Sequence, residues 1–361
     1  MNRNLQGDAP LAVSPLPPGP AVADAPAAPL HAAARRQMAS GIEGQLAALR
    51  RFDTRKRVGE LGLFVALFAG GTLLDRWGLG AGSGAWTHAL PRIAGTLGAA
   101  VAINAFILFM HEGMHGTLFG GGLANRWASV ALGATFCLSF TSYRVMHQRH
   151  HRYLGDPRDP DDYANYIGNR TLLWAMHYMR LVVGVYVYII LIPILAYRHS
   201  GLADRRRILV EYVVLAAVYA ALFSAVPAGQ LLYLWLIPLV LAAHMTAIRG
   251  LTQHGIAEAA DPFLASRSIQ ANPVVAFCLL HENYHLEHHL FPEIPSYHLA
   301  EVHRLIWPRL PRAVTGRSYL GFLWRFFAAT LRMDDTPIGR ANLDGGRDRA
   351  EGRIELMGWE V

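Results

Sequence analysis

Hydrophobic residues in this chain fall in long, nearly unbroken runs rather than in narrow helical or alternating stripes. They cover residues 58–74, 93–110, 127–140, 172–197, 208–226 and 231–248. A helix needs about 20 apolar residues to cross a bilayer. Four runs are read as spans, in two hairpins: 58–74 with 93–110, and 208–226 with 231–248. The link inside the first hairpin carries only Asp75, Arg76 and Arg92, and the link inside the second is Pro227-Ala228-Gly229-Gln230. The 127–140 run is too short to cross and is predicted to be re-entrant or in-plane.

Basic residues mark one side of these runs. Arg50, Arg51, Arg55, Lys56 and Arg57 precede the first, and Arg198, Arg205, Arg206 and Arg207 separate the fourth from the fifth. The positive-inside rule puts these ends, and with them both termini, in the cytoplasm. Residues 1–40 are rich in Pro and Ala without periodicity and are expected to form a disordered tail. A short amphipathic helix is expected over 41–50, and the start carries no apolar stretch of the secretory type. The membrane domain is expected over 41–333, and the polar stretch 334–361 as a loose tail.

The composition agrees: 53% of residues are hydrophobic and 16% charged. The net charge of +7 sits in loops suited to anionic lipid, so no nucleic-acid partner is expected. Cys137 and Cys278 lie in apolar surroundings and give no disulfide framework. Lys56 is the only lysine, and with abundant Ala and Gly this suggests a GC-rich genome and a bacterial inner membrane.

The candidate chemistry lies in the histidines. His285, His288 and His289 stand at i, i+3 and i+4, which places three imidazoles on one helix face. His147, His150 and His151 repeat that spacing, and His111 and His115 add an i, i+4 pair. His254 stands alone at the end of the last span, level with the others. These nine are the candidate ligands. One ion rarely takes more than about six donors, so nine imply two ions. An all-imidazole set excludes magnesium and calcium and argues against iron–sulfur centres. Iron fits if O2 is to be activated as co-substrate, and the membrane supplies a long apolar lipid as substrate. For the clusters to share metal they must lie on one face, so 172–197 is expected to enter and leave on the cytoplasmic side. Carboxylates and amides beside the clusters are candidates to orient the ligands: Glu112, Asp159, Asn283 and Glu287, with Asp156, Asp161 and Asp162 nearby.

One pattern competes. His111-Glu112-Gly113-Met114-His115 has the HExxH form of zinc metalloproteases, with Glu112 as general base. That assignment leaves six clustered histidines without a role. A non-enzymatic metal-binding or transport protein is the third class.

The chain resembles the membrane-bound fatty acid desaturase superfamily over roughly residues 58–310. The resemblance rests on His111-Glu112-Gly113-Met114-His115-Gly116, on His147-Gln148-Arg149-His150-His151 with the Asp/Pro-rich 156–162, and on 283–292 with 294–299. It implies an all-α integral membrane fold with four spans, a cytoplasmic helical cap and a non-haem di-iron oxygenase, with an extra ligand where His254 stands. An acyl-chain desaturase is the leading expectation. A carotenoid hydroxylase or ketolase on the same scaffold is the close alternative. No haem or iron–sulfur module is visible in the sequence, so a separate ferredoxin or cytochrome b5-type donor is expected. Arg149, Arg152, Arg304 and Arg309 are candidates to attract it.

Overall fold

Apolar runs that exceed the length of a bilayer have little choice but to be helices, because only a helix satisfies every backbone group internally. The computed structural model describes residues 29–80, 86–154, 158–161, 169–255, 262–310, 315–316 and 318–331. Its helices are α1 (Pro29–Ala39), α2 (Glu43–Leu49), α3 (Thr54–Gly80), α4 (Trp86–His115), α5 (Gly122–Ala134) and α6 (Phe140–Tyr153). There follow α7 (Arg170–Met179), α8 (Val185–His199), α9 (Leu202–Ala225), α10 (Ala228–Leu231) and α11 (Ile237–His254). The chain closes with α12 (Pro273–Cys278), α13 (His285–Leu290), α14 (Leu299–Ile306) and α15 (Tyr319–Leu331). One parallel pair, β1 (Ser268–Ile269) with β2 (Thr315–Gly316), is the exception to an otherwise helical architecture among the described residues.

Among the described residues, four helices are long and apolar enough to cross a membrane: Thr54–Gly78, Ala89–His115, Leu202–Ala225 and Ala228–His254. They coincide with the four expected spans. Their outward faces are apolar, with Leu63, Leu73, Val210 and Val213 each more than half exposed. Large apolar side chains in that position belong against lipid. The 172–197 run is broken into α7 and α8 by a π turn at Arg180–Gly184, and α8 packs against α6 and α9.

The α3–α4 contact is backbone to backbone. A Cβ on Gly95 would stand 2.5 Å from the Gly71 carbonyl oxygen, and one on Gly71 would stand 2.7 Å from that of Gly95. Small residues at a membrane helix interface allow this approach, where packing replaces the hydrophobic effect as the driving force. The same interface holds the Arg92–Asp75 ion pair.

The short run between the first two histidine clusters folds as α5 and a loop that returns into α6. This loop is pinned against the spans. The Tyr219 hydroxyl donates to the Ala134 carbonyl, and Trp235 Nε1 donates to the Thr135 carbonyl at 3.0 Å. Glu211 on α9 caps α6: it accepts from the Thr141 amide at 2.9 Å, from the Ser139 hydroxyl at 2.6 Å and from the Thr141 hydroxyl at 2.6 Å. A carboxylate at a helix N-terminus also complements the helix dipole.

One expectation is corrected. The irregular tail does not extend to residue 40, because Pro29–Ala39 is helical. Its Ala34 and Met38 join Ile42, Leu46 and Leu49 in burying against Leu286, Leu290, Phe291 and Ile294, which surround the third histidine cluster. Local composition hid this, because the partners lie more than 220 residues downstream. Residues 1–28 and 332–361, which hold the rest of both expected tails, lie outside the described residues.

Gly95→Val is expected to push α3 from α4 and abolish a monodisperse peak on size exclusion in detergent. Gly70→Val, with nothing within 4 Å of its Cβ, is expected to leave the elution profile and melting temperature unchanged.

Candidate metal centre

The last turns of α4 present His111 and His115 on one face, and α6 presents His147, His150 and His151. His254 closes α11, and α13 consists of little besides His285, His288 and His289. These four helix ends meet, and all nine candidate histidines come together in two adjoining sets. In the first, donor atoms of His111, His115, His147, His151 and His288 lie within 4.8 Å of one another. His115 Nε2 is 2.8 Å from His147 Nε2, and His288 Nε2 is 3.1 Å from His151 Nε2. In the second, His150, His254 and His289 are gathered to the same limit. His285 joins them, its Nε2 lying 2.9 Å from that of His254 and 3.1 Å from that of His289. The stacked rings of His151 and His289, 4.3 Å apart, link the two sets.

These separations suit a metal. Imidazole binds first-row metals at about 2.1 Å, so two ligands at right angles sit about 3.0 Å apart. Donors that are all nitrogen suit iron, zinc, copper or nickel rather than magnesium or calcium. Burial, reinforced by neighbouring histidines, holds His147, His151 and His289 well below the ordinary imidazole range. Burial likewise pushes His285 down to about 4. The rings are therefore neutral at pH 7 and need lose no proton to bind metal.

Some of the far nitrogens have partners, whereas Nδ1 of His111, His288 and His289 is buried without a hydrogen bond among the described residues. His150 Nδ1 lies 2.9 Å from Asp159, and His254 Nδ1 lies 3.2 Å from the Ala265 carbonyl. Glu282, fully buried, accepts from His285 Nδ1 at 3.2 Å. Its other oxygen lies 3.4 Å from His111 Nδ1 and 3.8 Å from His288 Nδ1. Burial opposes its charge, but His288 and His111 outweigh burial and hold the carboxyl well below the usual range. A carboxylate behind an imidazole fixes its tautomer, so that Nε2 faces the metal.

Glu282 was not among the sequence candidates. It directly precedes Asn283, but only the turn before it aims it inward. Leu280 and His281 take φ of 46° and 61°, a left-handed pair that non-glycine residues rarely adopt.

Asn283 and Glu287 bond away from the candidate ligands, and Glu112 bonds outward on one oxygen. Asn283 is fully buried, and its amide donates to the Ile269 carbonyl at 2.9 Å, tying the loop to β1. Glu287 accepts from Ser268 Oγ and from His303 Nδ1, both at 2.5 Å, which locks α13 onto β1 and α14. Glu112 accepts from the Arg57 guanidinium and, at 3.0 Å, from the Ser296 amide. Arg57 is fully buried, bonds Glu60 at 3.1 Å and lies 4.7 Å from the centre of the Tyr297 ring. Glu112 is thus a clamp between α3, α4 and the loop after α13, with both bonds on its Oε2, and one of its carboxylate oxygens lies within 4.8 Å of ligand atoms of His111 and Glu282. Arg267 is a further residue the sequence did not flag: it donates to the Thr252 and Gly255 carbonyls at 2.9 and 2.8 Å and so caps the helix that ends in His254. Asp161 lies 3.7 Å from His150 Nδ1, while Asp156 and Asp162 fall outside the described residues. Of the basic residues expected to attract a donor, Arg149 is buried, with the Tyr153 ring 5.1 Å away, and Arg309 bonds the Ser40 carbonyl; Arg304 is exposed.

Comparison with known proteins agrees with this centre. The human sphingolipid delta(4)-desaturase/C4-monooxygenase (Homo sapiens) is 29% identical over 238 residues, 62% of this chain and 68% of that protein. Its mouse counterpart (Mus musculus) is 25% identical over 241 residues and the bovine one (Bos taurus) 27% over 233, each covering 62% of this chain and 68% of the relative. The fatty acid desaturase family model matches residues 84–321, more than half of the chain and a segment that contains all nine histidines. By its sequence match and its histidine-lined centre alike, the chain belongs to the fatty acid desaturase family, and it is an oxidoreductase of the membrane.

Proposed function

We propose that the protein desaturates an acyl chain presented from the membrane, using O2, with two iron ions held by His111, His115, His147, His151 and His288 and by His150, His254, His285 and His289. The observation that carries this is the convergence of nine imidazoles into two adjoining sets beside the ends of two spanning helices. Bound iron with open positions would supply the oxidising power to take hydrogen from an unactivated C–H bond. Desaturation consumes O2, two electrons and two protons, and releases two waters as the chain loses two hydrogens.

The chain's own residues serve that chemistry by position. Glu282 and Asp159 hold the imidazole protons away from the metal side. Arg57 and Glu112 fix the end of α4 against the loop after the third cluster. The four spans pair as two hairpins, and the arginines at 50–57 and 198–207 put the histidine-bearing cap on the cytoplasmic face. An external ferredoxin or cytochrome b5-type protein delivers the electrons there. The near absence of lysine supports a bacterial source, although the relatives described above are mammalian. Hydroxylation at the same centre is the second reading, because the relatives' name couples desaturase with monooxygenase. The outcome depends on how the second C–H bond is held.

Elemental analysis of the detergent-purified protein is expected to give about two irons per chain, as nine donors exceed what one ion takes. One zinc and no iron would sink the proposal. A lipid extract from an expressing host is expected to gain a double bond, which mass spectrometry reads directly. His288→Ala is expected to abolish that product. Glu282→Gln is expected to weaken metal binding by about 10–100-fold in a chelator competition. Glu112→Gln keeps a neutral acceptor for Arg57 and Ser296, and is expected to retain iron and a reduced turnover, where a protease would lose all activity.

A further inference from the structure

Beside the metal centre lies a polar group that neither binds metal nor orients a ligand. Arg249 sits on α11 five residues before His254, about 7.5 Å along the helix axis. It is only 6% exposed. Among the described residues its guanidinium makes one hydrogen bond, to Gln253 Oε1 at 3.5 Å. Its Nε is buried without a partner, and among the described residues no carboxylate pairs with it. Gln253 is itself committed, its amide donating to the Glu282 carbonyl at 2.7 Å. Tyr319, the first residue of α15, meets Arg249 electrostatically, and its hydroxyl too is buried without a partner. α15 packs on α11 through Phe322 and Phe326, and its other face, Leu320 and Trp324, is 80% and 78% exposed. The polar pair therefore lies under a helix whose outer face is as apolar as the lipid-facing spans.

A buried guanidinium without a counter-group is costly, and a donor-only pair asks for an acceptor. Arg249 lies within electrostatic reach of both Tyr319 and the candidate ligand His285, so two buried polar groups with unused hydrogen-bonding capacity stand next to the centre that would oxidise a lipid. We infer that Arg249 and Tyr319 hold the oxygen-bearing head of the lipid substrate, a carboxylate or an amide carbonyl, and so place carbons near that head at the metal centre. This rests on the acyl-desaturase reading and adds to it the part of the substrate that is recognised and the region of the chain that reacts.

The test uses the full-length, iron-loaded protein in lipid nanodiscs and equilibrium binding of three probes: palmitate, N-palmitoyl-sphinganine and hexadecane. The wild type is expected to bind at least one headed lipid more tightly than hexadecane, and the tighter of the two identifies the head group. Arg249→Met and Tyr319→Phe are each expected to weaken that binding by about tenfold, the value of a hydrogen bond to a charged group. Hexadecane binding and iron content should not change. Arg249→Lys, which keeps the charge, is expected to lose less than Arg249→Met, and this ordering separates a lost contact from a lost fold. Unchanged binding of both headed lipids in Arg249→Met, or an equal loss for hexadecane, would overturn the inference. Absence of iron from the wild type would instead strike the desaturase reading, while binding would still report on the head-group site.

Discussion

Nine imidazoles can share a dry interior only if each proton has somewhere to point. A neutral ring carries one N–H, and a ring that offers Nε2 to a metal must place that hydrogen on Nδ1. The structure supplies acceptors where they count: Glu282 behind His285, with His111 and His288 near by, Asp159 behind His150, and a backbone carbonyl behind His254. Glu282 is the centre of this arrangement. It puts a single carboxylate beside His285 and His288 on α13 and His111 on α4.

Keeping those helices in register falls to charged groups that never touch a candidate ligand's donor atom. Arg57 and Glu112 join the first span to the second and to the loop after α13. Glu211 caps α6, and Arg267 caps α11. Each bond fixes one end of a histidine-bearing helix. Such pairs are expensive to bury, and removing one partner strands the other. Irregular backbone within the span bundle obeys the same rule: the carbonyls between α5 and α6 are taken up by Tyr219 and Trp235.

Much of this was legible in the sequence. The four spans follow from run length, eight histidines from their helical spacing and His254 from its place at the end of the last span, because all of these depend on neighbours in the chain. The helix over 29–39 was not, because its apolar face matches residues near 290 rather than its own surroundings. Glu282 escaped for a related reason. Its direction is set by two left-handed residues, Leu280 and His281, that no glycine betrays. Glu287 stands beside a ligand in sequence, yet helix geometry turns its side chain about 100° away. Adjacency along the chain was a poor guide to support, and packing between helices a better one.

The salt bridges of Glu293 to Arg35 and Arg50 carry a consequence for biogenesis. The segment that closes over the third cluster leaves the ribosome well before its partner, more than 240 residues later. Contacts so distant in sequence form late, after intervening loops have been closed. The first two histidine clusters are thus made and inserted long before the third can reach them. The N-terminal helices can therefore pack over the third cluster only once synthesis has passed residue 293.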